Sequence, residues 1–139
     1  MFYKKMKDTY VLRLEIGEEI VESLKSFLRQ TEVRSGYVTG IGACDYARVG
    51  VYKVAEKRYY EKEFRGEMEI TSLAGNVSTM NGEEYVHVHI NMADDTGAVH
   101  GGHLNEARIS ATAEIFIHDT EEELERFREE SIGINLLRI

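Results

Sequence analysis

Four of the five histidines in this chain stand within eighteen residues, HVHINMADDTGAVHGGHL, from His87 to Leu104. Imidazole is the commonest nitrogen ligand for metals, and it is largely neutral near physiological pH. The run YVHVHIN alternates polar and apolar residues, the pattern of a half-buried strand. On a strand, Tyr85, His87, His89 and Asn91 share one face, and Val86, Val88, Ile90 and Met92 share the other. His87 and His89 then lie roughly 6 to 7 Å apart at their bases, close enough to converge on one ion. The DDTG at 94–97 is a turn sequence that doubles the chain back. It returns His100 and His103 toward the first strand, with Gly101 and Gly102 permitting close approach. His103 is the preferred third ligand and His100 the alternative. Three protein ligands with an open position is the catalytic zinc pattern; nickel or another divalent metal suits the same donors. The competing reading is plain polar surface on an exposed strand. His118 reads as a residue at a helix start.

Other residues are weighed beside this set. In SATAEIFIH, Ser110, Thr112, Glu114 and Phe116 share a face, which makes Glu114 the candidate general base or partner of a ligating histidine. It reads equally as a solvated carboxylate. Arg65 and Arg108 are candidate anion holders, or members of surface ion pairs. Cys44, the single cysteine, reads as a small packed residue rather than a nucleophile, and it leaves no internal disulfide. Tyr59, Tyr60, Phe64 and Tyr85 are candidates for a subunit contact.

The elements that must position these residues are mostly strands. YVLRLEI puts Tyr10, Leu12, Leu14 and Ile16 on one face. GEEIVESLKSFLRQ has helical spacing at Ile20, Val21, Leu24, Phe27 and Leu28, with Glu18 and Glu19 suited to a helix N-terminus. GYVTGIGACDYARVGVYKV reads as strand, turn, strand. KRYYEKEFRGEMEITSLAGNVSTM reads as two strands broken near Gly66. EEYVHVHINMA and RISATAEIFI are strands. DTEEELERFRE opens with Thr120 three residues before Glu123, a capping box, and predicts a second helix. INLLRI closes as a strand. The order is not a regular βαβα alternation, so the class is α+β with a largely antiparallel sheet and flanking helices.

The length of 139 residues suits one domain over 1–139. No apolar run reaches the roughly 20 residues of a membrane span. Basic residues at the N-terminus lack a following apolar region, so no signal peptide is read and a cytoplasmic location is expected. Lys4, Lys5 and Lys7 read as a solvated end. A net charge of −8 and the absence of a basic run argue against direct grip on a phosphate backbone, and no residue is assigned to nucleic acid.

FRGEMEITSLAGNVS, followed by HVHINMADDTGAVHGGHL and ATAEIFI, resembles the plants and prokaryotes conserved (PPC) domain. Gly66, Glu69, Ile70, Ser72 and Leu73 match that family's Gly-x-Phe-Glu-Ile-Leu-Ser-Leu segment, with Met68 in place of the aromatic. GYVTGIGACDYARVGVY is similar to its early glycine-bearing hairpin, and the likeness covers roughly residues 8–138. The resemblance implies an antiparallel-sheet fold assembled as a homotrimer, with His87, His89 and His103 at the positions of metal ligands. It implies a regulatory or DNA-associated module. In plants the domain is joined to a proline-containing AT-hook, and this chain has no proline. A different class of function is a small zinc-dependent hydrolase or lyase on a small anionic or polar ligand, using the three histidines and Glu114.

Overall fold

A computed structural model describes residues 1–139. Strands β1 (Phe2–Met6) and β2 (Thr9–Glu15) form a hairpin, and helix α1 (Ile20–Gln30) follows. Then come β3 (Gly36–Lys53), β4 (Arg58–Met80), β5 (Glu83–Ala93) and β6 (Val99–Asp119). A short hairpin of β7 (Arg126–Glu129) and β8 (Ile134–Leu137) ends the chain. The main sheet has the order β1-β2-β6-β3-β4-β5, all its strand pairs antiparallel. The start of β6 also pairs with β5, so the pairings among β3, β4, β5 and β6 close into a ring. The fold is α+β with a largely antiparallel sheet, as its pattern of alternation implies.

The core follows that alternation. Tyr10, Leu12 and Leu14 of β2, Val88, Ile90 and Met92 of β5, and Ala113, Ile115 and Ile117 of β6 are buried. Ile20, Leu24, Phe27 and Leu28 bury the matching stripe of α1. Each such side chain contributes roughly 1.5 to 3 kcal/mol on burial. Glu19 caps α1, its carboxylate accepting from the Val21 and Glu22 amides. Cys44 is buried with its thiol against the Met92 sulfur, and burial pushes its pKa up to about 11, so it is inert packing.

Four expectations are corrected. Residues 36–53 form one strand rather than strand, turn, strand, because the glycine-rich stretch is taken up as register shifts at Gly40/Gly42 and Cys44/Tyr46. Residues 58–80 are likewise one strand. The break near Gly66 is a bulge: Cys44 pairs with Met68 and Tyr46 with Arg65, so Asp45 alone opposes Gly66 and Glu67. Ile16 leaves β2 and is 73% exposed, not core. The second helix does not form. The Thr120 hydroxyl bonds Ser35 instead of capping, and the Glu123 carboxylate accepts from the Thr79 hydroxyl at 2.9 Å. With one capping group engaged by the bend before β3 and the other by β4, the segment leads into β7. Lys4 and Lys5, read as part of a solvated end, do lie exposed, on the edge strand β1.

Candidate metal centre

The turn between β5 and β6 is built by Asp94. One oxygen of its carboxylate accepts from the Thr96 and Ala98 amides at 2.9 and 3.1 Å, and the Gly97 amide donates to its carbonyl. The Thr96 hydroxyl, donating to the same carboxylate oxygen at 2.6 Å, then the His100 ring and the Thr96 and Ala98 amides hold the Asp94 carboxyl down at about 2. The turn sets the register that matters: His89 lies directly opposite His103. Gly101 is needed for that approach, because a Cβ there would lie 2.3 Å from the Ile90 carbonyl oxygen.

His87, two residues earlier on β5, completes a triangle. The ring centroids stand 5.3 Å (87–89), 5.1 Å (87–103) and 5.6 Å (89–103) apart. One ligand nitrogen from each ring lies within 4.8 Å of the others. Tetrahedral zinc with bonds of 2.0–2.1 Å needs nitrogens about 3.3 Å apart, so modest ring rotations suffice. The donor set fits a borderline-soft divalent ion with an open position.

A buried arginine backs the site. Arg126, on β7, is 4% exposed. It donates to Asn76 Oδ1 (2.7 Å), Ser78 Oγ (2.9 Å) and the Asn135 carbonyl (3.0 Å), and its guanidinium lies over the Tyr85 ring. The same Nη2 that donates to Asn76 stands 3.3 Å from His87 Nδ1. Guanidinium only donates, so the contact selects the tautomer with its lone pair on Nδ1. Ligation through Nε2 therefore requires this contact to open.

Burial, then Arg126 and the neighbouring rings, push His87 down to about 4. Burial also lowers His103. The folded chain consequently binds fewer protons than the unfolded chain between about pH 4 and the ordinary histidine value of 6.5. Stability of the metal-free protein is expected to be full above 6.5 and to fall as pH drops toward 4. Thermal melts across that window test this, with a shallower fall in His87→Gln. Equal falls in both proteins would remove His87 as the source.

A cavity of about 960 Å³ opens on the three histidines. Its walls include Tyr52, Tyr59, Tyr60, Phe64 and Tyr85, and β7–β8 closes one side. The residues read as subunit-contact candidates thus line this space. The other candidates lie elsewhere. His100 bonds Asp94 at 3.0 Å and stacks on Phe64, so it serves the turn. His118 ends β6, stacked on Tyr37, and starts no helix. Glu114 is exposed on β6 opposite Arg13 and Ile41, far along the strand from His103 and outside the cavity. Arg108 pairs with Asp45 at 2.8 and 2.9 Å and Arg65 with Glu63 at 2.9 Å, so both are surface ion pairs. Arg126 was missed. Its only sequence signal is a charged residue inside a segment that reads as an exposed helix.

Residues 1–121 match the model of the Plants and Prokaryotes Conserved (PCC) domain. A provisionally named DNA-binding protein of Bacteroides thetaiotaomicron has a solved structure with a TM-score of 0.96 and 31% identity, covering 99% of this chain and 96% of that one. The metal-containing protein AF0104 of Archaeoglobus fulgidus has a TM-score of 0.87 and 30% identity, covering 100% and 99%. The bifunctional protein GlmU of a Synechococcus strain is 30% identical over 113 residues. That match takes in 80% of this chain, which spans only 17% of the length of its curated relative.

Proposed function

The chain belongs to the Plants and Prokaryotes Conserved domain family, and from that premise we propose that it is a cytoplasmic, homotrimeric regulatory module holding one zinc ion per chain on His87, His89 and His103. The observation that carries this reading is the convergence of three ligand nitrogens within 4.8 Å on two paired strands. The metal content of the A. fulgidus relative supports it. Bound there, zinc would supply a Lewis-acidic position facing the cavity. The chain's part is to hold the rings, with Asp94 setting the turn and Gly101 the spacing. A contact with DNA belongs to a partner rather than to this chain. Arg13, Arg48, Arg65 and Arg108 are all tied to carboxylates, and the net charge is −8.

The second reading, a zinc-dependent hydrolase or lyase, is favoured by one feature, the cavity beside the rings. Glu114, the candidate base, lies outside the lining of that cavity. No helix is long and apolar enough to cross a membrane.

Elemental analysis of untagged protein, combined with light scattering, tests the proposal. Near-stoichiometric zinc in a three-chain particle is expected. Protein that stays metal-free after incubation with zinc would end the metal reading, and a monomeric mass would end the trimer.

A further inference from the structure

Arg126 poses an electrostatic problem. A buried charge ordinarily has an opposite charge beside it, because desolvation costs several kcal/mol per ion. Every partner of Arg126 is neutral: two side-chain oxygens, a carbonyl, an imidazole and a tyrosine ring. It is a fixed, uncompensated positive charge directly behind the candidate ligands.

The cavity repeats that sign. Lys62 on β4 and Arg128 on β7 line it from different walls, and neither makes an ion pair within the chain. Lys62 Nζ rests over the Phe64 ring, 4.9 Å from its centroid. The one carboxylate in the lining, Glu61, is already held by Arg48 at 2.7 Å and Asn105 at 3.1 Å. In a chain with 25 acidic residues against 17 Lys and Arg, this pocket is cationic. A divalent ion on the histidines adds to the imbalance.

One more group is unsatisfied. Asn135 is also in the lining; its Oδ1 is buried without a hydrogen-bond partner, while its amide nitrogen donates to Tyr85 Oη at 3.2 Å. A buried acceptor left alone costs about 1 to 3 kcal/mol. It calls for an N–H or O–H from whatever fills the space.

We propose that this cavity binds a small organic oxyanion bearing a hydroxyl or amine. Lys62 and Arg128 hold its negative group, Arg126 supplies the field that favours it, and Asn135 accepts from its donor. The proposal rests on the zinc reading only for the end of the ligand that meets the metal. The cationic walls act with or without an ion.

The probes are glycolate, which carries both a carboxylate and a hydroxyl, inorganic phosphate, and glycolamide as the neutral isostere of glycolate. Calorimetric titration is run on metal-free and zinc-loaded protein, native and Lys62→Gln/Arg128→Gln. Both substituted residues are exposed, so the variant is expected to keep the native melting temperature and zinc content. Saturable glycolate binding, at least tenfold weaker in the variant, with no comparable glycolamide binding, is the expected result. No saturable binding of either anion, or equal glycolate affinity in native and variant protein, would overturn the proposal. Anion binding by a protein that takes up no zinc would sustain it while ending the metal reading. Normal zinc uptake without anion binding would do the reverse.

Discussion

Substituting alanine for both His87 and His89 is expected to abolish stoichiometric zinc and leave a folded protein. Structural zinc sites are worth about 10–16 kcal/mol across their ligands, so each ligand contributes about 3 kcal/mol. Losing two of three weakens binding by about ten-thousandfold. His103 alone holds an ion no better than a surface histidine does. The fold should survive, because His89 is exposed and Arg126 keeps its bonds to Asn76, Ser78 and the Asn135 carbonyl when His87 is truncated. Any rise in melting temperature that zinc produces in the native protein disappears in the variant, since ligand stabilisation grows with the logarithm of one plus the ratio of free ligand to Kd. Elemental analysis and melts with and without zinc provide the check. Zinc retained at one per chain in the double variant would place the metal elsewhere in the molecule.

Gly75→Ala is expected to cost the most stability of any single methyl added to the site's support. Gly75 pairs with Val88 on β5, and its chain neighbours Ala74 and Asn76 pair with His89 and His87. A Cβ at Gly75 would lie 2.1 Å from the His87 carbonyl oxygen and 2.6 Å from Val88 Cα. Both are backbone atoms in the middle of a paired strand, so no side-chain rotation relieves the overlap. The strands must separate, at about 3 kcal/mol or more. For a chain of this size that lowers the melting temperature by about 10 °C. The displacement is centred on the residues carrying two of the three rings, so zinc affinity falls along with stability. An alanine variant melting within about 2 °C of the native protein would show that β4 and β5 pack less closely there than described.

The histidine triangle was legible because it rests on short-range rules. Period-two alternation puts His87 and His89 on one face, and the DDTG turn returns His103. The choice between His103 and His100 was harder. What separates them is visible only in the structure: Asp94 engages His100 within the turn, and the register pairs His89 with His103. The long strands were misread at their glycines because a bulge and a turn share composition. Only the pairing of Asp45 with two residues distinguishes them. The second helix failed for a tertiary reason. Thr120 and Glu123 have the spacing of a capping box, but Ser35 and Thr79, both distant in sequence, take their polar groups. Glu114 was placed on the correct kind of face, yet β6 is long enough to carry two separate environments.

That length of β6 has a kinetic consequence. One edge of the strand pairs with β3 for most of its course, while the other pairs first with β5 and then with β2. Thr9 meets His118 across 109 positions of sequence. Pairings of such separation carry a heavy loop-closure cost before they return any contact energy, and topologies built on them fold in milliseconds to seconds rather than microseconds. Until β6 is laid down, β2 has no inner neighbour and β5 has no second edge. His103 arrives on that same strand. The chelating triangle is exempt from that cost, because His87, His89 and His103 all lie on one hairpin closed by the 94–97 turn. It can form as soon as the β5–β6 turn closes, so an ion can meet all three rings before β6 has paired with β2 or β3.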